Sequence, residues 1–366
     1  MKYPFLDLRR LHAPLMEAEK QACARVIESG RYLHGPETAA LESEMSRMHA
    51  SRECVAVSNG LDALRLILRG YIATGRLSPG DEIIVSANTY IASVLAITDA
   101  GLTPALVEPE EQTMNLSAET AERAVSGRTR AIMEVHLYGT PARHSAIREV
   151  AARHGLLIIE DNAQSIGASE HGIPTGAMGD AAAFSFYPTK NIGAVGDAGA
   201  VVTADRELAA AIRALANYGS DRRYHNIYQG FNCRMDEIQA ALLRVRLGHL
   251  EEDRARRQAA AAAYAQTLDN PLVVPPATID TMTQVWHQYV VRCSRRDELR
   301  AYLAGQGVGT DIHYAVPPHL QPCYATLPHG PLPVTERMAD EALSLPIASV
   351  TERQAREIAG IINNFK

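Results

Sequence analysis

The sequence predicts an α/β fold built on a buried, largely parallel sheet. Three observations predict it. From Leu61 to about Leu208, short apolar or β-branched runs alternate with helical stretches, the pattern of repeated βαβ units. The runs are apolar on successive residues rather than on every second one, as in strands covered on both faces. The chain has 366 residues, 46% hydrophobic and 21% charged, enough for about two domains with a sizeable core.

The strands expected are Glu82–Val85, Ala131–Val135, Leu156–Ile159, Ala182–Phe186 and Ala198–Thr203, with Leu61–Ile72 and Ser145–His154 as helices between them. Residues 235–268 read as one long helix that takes in the Ala259–Ala263 run. It opens on Asp236-Glu237, where the helix dipole favours negative charge. Past Pro271 and Pro275-Pro276 the character changes to a strand-like Trp286–Val291, a helix at about Arg296–Gln306, a Pro/His-rich loop and two further helices. A large first domain and a smaller second one therefore meet near residues 245–270.

Composition excludes several classes. The formal charge of -6, with no basic cluster, argues against a nucleic-acid partner. Met1–Asp7 has no apolar signal-peptide core, and Ile83–Thr98 is too broken by polar residues to span a membrane. Five scattered cysteines without a CxxC pair predict free thiols and a cytoplasmic protein.

Four segments carry chemistry, and each alone has a plain structural reading. Ser58-Asn59-Gly60-Leu61-Asp62 is a small-residue turn entering an amphipathic helix. It is either a cap or a site where free N–H groups hold a phosphate. Ile158-Ile159-Glu160-Asp161-Asn162-Ala163-Gln164 is an apolar strand that delivers a carboxylate at its C-terminal end, where open α/β sheets bind ligands. Phe184-Ser185-Phe186-Tyr187-Pro188-Thr189-Lys190-Asn191 places a Lys after a strand. Such a Lys is a surface cation unless its surroundings lower its pKa for imine chemistry. The Gly193, Gly196 and Gly199 that follow lead into another strand, which rules out a nucleotide loop, and no strand–GxGxxG–helix unit for NAD is present. Gly230-Phe231-Asn232 through Ala241 is a loop entering an acidic helical turn.

Together they supply what pyridoxal 5'-phosphate needs: an anion site, a Lys for its aldehyde, and a carboxylate for its ring nitrogen. Tyr90, in Asn88-Thr89-Tyr90-Ile91-Ala92-Ser93, offers an aromatic face.

In this order and spacing, Ser58–Leu64, Asn88–Ser93, Glu160–Gly167, Phe184–Asn191, Gly196–Gly199 and Gly230–Ala241 resemble the DegT/DnrJ/EryC1/StrS family of sugar aminotransferases. The resemblance runs from Pro4–Leu8 and Ser29–Tyr32 to His313-Tyr314. It implies the fold type I architecture of pyridoxal-phosphate transferases, with a mostly parallel central sheet in a large domain (residues 1–250) and a small α+β domain (residues 251–366). It also implies a cytoplasmic homodimer with shared active sites. Lys190 would form the internal aldimine and shuttle the proton in a ping-pong cycle. Asp161 would pair with the ring nitrogen, Gln164 with the phenolic oxygen, and Tyr90 would stack on the ring. The phosphate would take the Gly60 and Leu61 amides, the Ser185 hydroxyl, and Asn232 of the neighbouring subunit.

Ser-Asn-Gly-Leu-Asp-Ala-Leu, Ala-Asn-Thr-Tyr-Ile-Ala-Ser and Val135-His136-Leu137-Tyr138-Gly139 look most like one branch of that family. That branch aminates C3 of a dTDP-3-keto-6-deoxyhexose with L-glutamate, for O-antigen-type glycans or antibiotics. Amination at C4 of a dTDP- or UDP-4-keto-sugar is the alternative. Tyr32, Tyr187, His313, Tyr314 and His319 are the candidate substrate residues. A metal on His313, His319 and Cys323 is not expected, because zinc sites use tighter ligand pairs.

Overall fold

The computed structural model of the chain describes residues 1–50 and 52–366. Seven strands make the central sheet: β1 (Glu53–Val57), β2 (Glu82–Ser86), β3 (Thr103–Val107), β4 (Thr129–Val135), β5 (Leu157–Asp161), β6 (Ala181–Ser185) and β7 (Gly199–Thr203). They lie in the order β1-β7-β6-β5-β4-β2-β3. β2 to β6 run parallel, whereas β7 is antiparallel to both β6 and β1. The reversal follows from the connection. Residues 186–198 form a loop without a crossover helix, so the chain can only come back alongside β6. All the expected strands form. β1 and β3 go beyond them and form the two edges of the sheet; Pro104 disguises β3, which tolerates it as an edge strand.

Alternate residues of each strand feed two separate cores, which is why the runs are apolar throughout. Ile83, Val85, Ala131, Met133, Ile159 and Val201 pack on one face against α2 (Gly60–Ala73). On the other face Ala182, Phe184, Ala200 and Val202 meet Leu41 and Met45 of α1 (Pro36–Met48), and Ile84, Ile132 and Ile158 meet α3 (His144–His154). The fold is α/β with a mostly parallel sheet between helical layers.

The single helix expected over 235–268 is instead two: α4 (Glu237–Leu247) and α5 (Leu250–Thr267). They break at Gly248-His249, where a weak helix former lets the chain turn from one core toward another. Nor does the Glu237 carboxylate serve its own helix. It accepts the N–H groups of Gly35 (2.9 Å), Glu37 (2.8 Å) and Thr38 (2.9 Å) and so caps α1, some 200 residues away in sequence. Burial opposes its charge, but these donors and the Thr38 hydroxyl overcome it and hold its pKa low.

A further core gathers Tyr3, Ala260, Tyr264, Leu299, Leu343, Ile358 and Ile362. It includes the antiparallel pair β8 (Tyr289–Arg292) and β9 (Ala342–Leu345). The Tyr264 hydroxyl donates to the Pro346 carbonyl (2.8 Å), and its ring stacks on Tyr289 at 4.8 Å. Among the described residues, no helix is long and apolar enough to cross a membrane.

Candidate active site

The C-terminal ends of β4, β5 and β6 and the N-terminus of α2 open onto one cavity of about 540 Å³. It is floored by Asp161, Ser185 and Lys190 and closed from the C-terminal half by His287, His313 and Tyr314.

Asn59 opens α2: its Oδ1 takes the Asp62 N–H (2.8 Å) and its carbonyl that of Ala63 (3.0 Å). The N–H groups of Gly60 and Leu61 are left without intrahelical partners, as at the start of any helix. The end of β6 comes so close here that a Cβ on Gly60 would lie 2.6 Å from that of Ser185. Gly199 is pressed as tightly against the Asn59 backbone, at 2.5 Å. Gly199, the last of the glycines after Lys190, is thus a packing residue that holds strand and helix end together. Two free amides, a hydroxyl and the positive end of a helix dipole make an anion cradle.

Asp161 ends β5 almost fully buried. Its carboxylate accepts the Ser93 hydroxyl (2.7 Å) and the Ala163 N–H (3.2 Å), and Ser93 in turn touches the Thr89 hydroxyl (2.8 Å). Burial raises its pKa, while the Ser93 bond works the other way. Behind it, the Ala142 N–H donates to His136 Nδ1 (3.0 Å), so the proton sits on Nε2 and goes to Glu160 (3.0 Å).

Gln164 Oε1 accepts the Tyr138 N–H (2.6 Å), which turns Nε2 toward the Tyr314 hydroxyl (2.9 Å). The amide therefore presents donors to the cavity. Tyr90, half exposed at the mouth, tilts against Tyr314 with ring centroids 5.0 Å apart.

Lys190 lies in the turn after β6, with its N–H on the Tyr187 carbonyl (2.8 Å). It lines the cavity, and protein surrounds the amine. Burial lowers its pKa from 10.5 to about 8, with Asp161 pulling weakly the other way. At pH 7 roughly a tenth of such an amine is free. The apo-protein is therefore expected to take up pyridoxal phosphate about tenfold faster per pH unit up to about 8, then level off, as followed by absorbance. A rate that kept climbing toward pH 10 would show an unshifted Lys.

Of the other expected residues, Tyr187, His313 and Tyr314 line this cavity. His313 Nδ1 meets the Ser344 hydroxyl (2.8 Å), and the Tyr138 hydroxyl donates to its carbonyl. Tyr32 and His319 do not reach it. Tyr32 is half exposed beside the start of α4, where its carbonyl accepts the Glu237 N–H (2.9 Å). His319 is buried against Glu336 (3.3 Å) and His329, a packing role that spacing to His313 could not foretell. Asn232 is exposed and outside the cavity of its own chain, paired across a bridge with Asn217. Among the described residues no cluster could hold a metal ion.

Sequence reasoning did not single out His287, Gln288 and Asp197, which also line the cavity. The only local signal was the aromatic Trp286-His287 ahead of a strand.

The profile of the DegT/DnrJ/EryC1/StrS aminotransferase family matches residues 14–363. The chain is 48% identical over 355 residues to dTDP-3-amino-3,4,6-trideoxy-alpha-D-glucose transaminase of Streptomyces venezuelae, covering 96% of this chain and 93% of that one. It is 44% identical over 363 residues to dTDP-3-amino-3,6-dideoxy-alpha-D-galactopyranose transaminase of Aneurinibacillus thermoaerophilus, 99% of each. Among solved structures it is similar to S. venezuelae DesV in complex with a ketimine intermediate, with a TM-score of 0.94, 47% identity, and 99% and 97% of the two chains covered.

Proposed function

The chain belongs to the DegT/DnrJ/EryC1/StrS aminotransferase family, a pyridoxal-phosphate family of sugar aminotransferases, and on that premise we propose that it transfers an amino group from L-glutamate to C3 of a dTDP-3-keto-6-deoxyhexose. The product is then a dTDP-3-amino-3,6-dideoxyhexose. The observation that carries this reading is full-length similarity to two relatives named for dTDP-3-amino-sugars, together with a cavity whose donors and acceptors fit the cofactor.

The fit rests on an anion cradle that added Cβ atoms would fill, a buried carboxylate, and a lysine of lowered pKa in one cavity. When bound, pyridoxal phosphate supplies the electron sink and carries the amino group between donor and acceptor. The Gly60 and Leu61 N–H groups and the Ser185 hydroxyl hold its phosphate. Asp161, fixed by Ser93 and Ala163, holds the proton on its ring nitrogen. Gln164, turned by the Tyr138 N–H, offers Nε2 to its phenolic oxygen, and Tyr90 offers a ring face. Lys190 Nζ, with a pKa near 8, both gives and takes a proton close to neutral pH, as a group serving two half-reactions must.

The same reading includes a cytoplasmic homodimer, in which an exposed Asn232 serves the partner's phosphate site, and a division between the domains near residue 250. Five unpaired thiols support the reducing compartment, and a separate core drawn, Tyr3 apart, from beyond residue 250 supports the division.

Purified protein with pyridoxal phosphate, L-glutamate and dTDP-3-keto-6-deoxyglucose is expected to yield 2-oxoglutarate and a sugar aminated at C3, read by mass and NMR. The galacto epimer tested beside it reports the stereochemistry. Amination of a dTDP- or UDP-4-keto-sugar alone would move the reaction to C4.

A further inference from the structure

His287 is 5% exposed and lines the cavity with Lys190 and His313. Its backbone is pinned on both sides. The Val285 N–H donates to the Gly139 carbonyl (2.9 Å) and the Gln288 N–H to that of Tyr138 (3.2 Å). A Cβ on Gly139, itself at φ +86°, would lie 2.7 Å from the backbone nitrogen of His287.

Its tautomer follows from its neighbours. Asn191 Nδ2 donates to the Val285 carbonyl (3.3 Å), and because a carbonyl can only accept, this identifies the two ends of the amide. Asn191 Oδ1 therefore faces His287 Nδ1 (2.8 Å), which must carry the proton and donate it. In the neutral ring Nε2 is then a bare lone pair. Burial, followed by the nearby cations Lys190 and Arg257 and the His313 ring, pushes the imidazole pKa well below 6.5, so no second proton arrives at neutral pH. Arg257 is itself buried, with one hydrogen bond, to the Trp286 carbonyl (3.3 Å), and an ion pair with Asp253 at 3.8 Å.

The cavity thus contains a nitrogen that only accepts. A substrate ammonium is a poor match for it, because the cations Lys190 and Arg257 already bear on the ring. A neutral O–H donor meets no such repulsion, and a keto-hexose carries hydroxyls beside its ketone. We infer that His287 Nε2 accepts a hydrogen bond from a ring hydroxyl flanking the ketone of the sugar, and so helps determine substrate specificity; this rests on the keto-sugar reading above. Because Asn191 follows Lys190 directly in the chain, the acceptor stands at a fixed offset from the reacting amine.

The two half-reactions, followed separately by cofactor absorbance, test this. With dTDP-3-keto-6-deoxyglucose, His287→Phe is expected to lose about thirtyfold in kcat/KM, while the L-glutamate half-reaction falls less than about threefold. His287→Gln, which restores an acceptor, recovers part of the loss and controls for folding. The penalty should collapse toward unity on an analogue lacking the C2 or the C4 hydroxyl. A penalty undiminished on both deoxy analogues would overturn the inference. Nitrogen-15 NMR of the imidazole tests the tautomer without any substrate, and a proton on Nε2 would overturn it outright. If the wild type aminates only 4-keto-sugars, the C3 reading fails while the NMR result still decides His287.

Discussion

Lys190→Ala is expected to fold normally and to lose transamination by at least about a thousandfold, since it removes both the nucleophile and the proton carrier. The fold has little to lose. Among the described residues the ammonium makes no hydrogen bond, and burial disfavours its charge. The sign of that cost can be followed with pH. A lysine whose native pKa is about 8, against 10.5 in its ordinary state, destabilises the native apo-protein fully below pH 8. The cost then fades as the pH rises toward 10.5. The variant should therefore melt no lower than wild type at pH 7, with the two converging at alkaline pH. Turnover within tenfold of wild type would remove Lys190 from the role. Mixing this chain with an Asn232→Ala chain extends the test to the dimer. Each is impaired alone, but a mixed dimer has one site that combines an intact Lys190 with an intact Asn232 from the other chain. Recovered activity on mixing supports shared sites, and none at all rejects them.

Asp161→Asn is expected to cut turnover by about a hundredfold or more, because an amide cannot hold the ring-nitrogen proton by charge. Stability should change far less. Asp161 accepts from Ser93 and Ala163, and the amide oxygen can keep the Ala163 N–H. The Ser93 hydroxyl can reverse, accepting from the new amide and donating to Thr89 (2.8 Å), which has the Tyr90 carbonyl (3.3 Å) within reach. Matched thermal melts and single-turnover rates separate the two effects. An unaffected rate would show that Asp161 does not govern the ring nitrogen.

Much of the site was legible because its residues stand at the ends of local patterns. Asp161 closes an apolar run, Lys190 sits a turn beyond another, and Gly60 opens an amphipathic helix. In an open α/β sheet such positions gather at the C-terminal edge of the strands. His287 and Gln288 were not legible: they enter from a segment about 100 residues beyond Lys190 and are held there by Asn191, Gly139 and Tyr138. Tyr32 and His319 show the converse. Both stand in suggestive segments, yet one faces outward beside α4 and the other is spent on Glu336.

The sequence by itself determined the α/β class and the strands apolar on both faces, and it offered an amine, a carboxylate and a helix start as candidates, since these follow from residue type and short-range spacing; the Gln164 amide came only with the family resemblance. Only the tertiary structure decided that β7 runs antiparallel, that Glu237 caps a helix 200 residues away, and which ring nitrogen of His287 carries its proton. Lys190 shows why. Its residue type made it a candidate, but a pKa of about 8 exists only where folding has stripped the amine of water, and desolvation belongs to the packed chain.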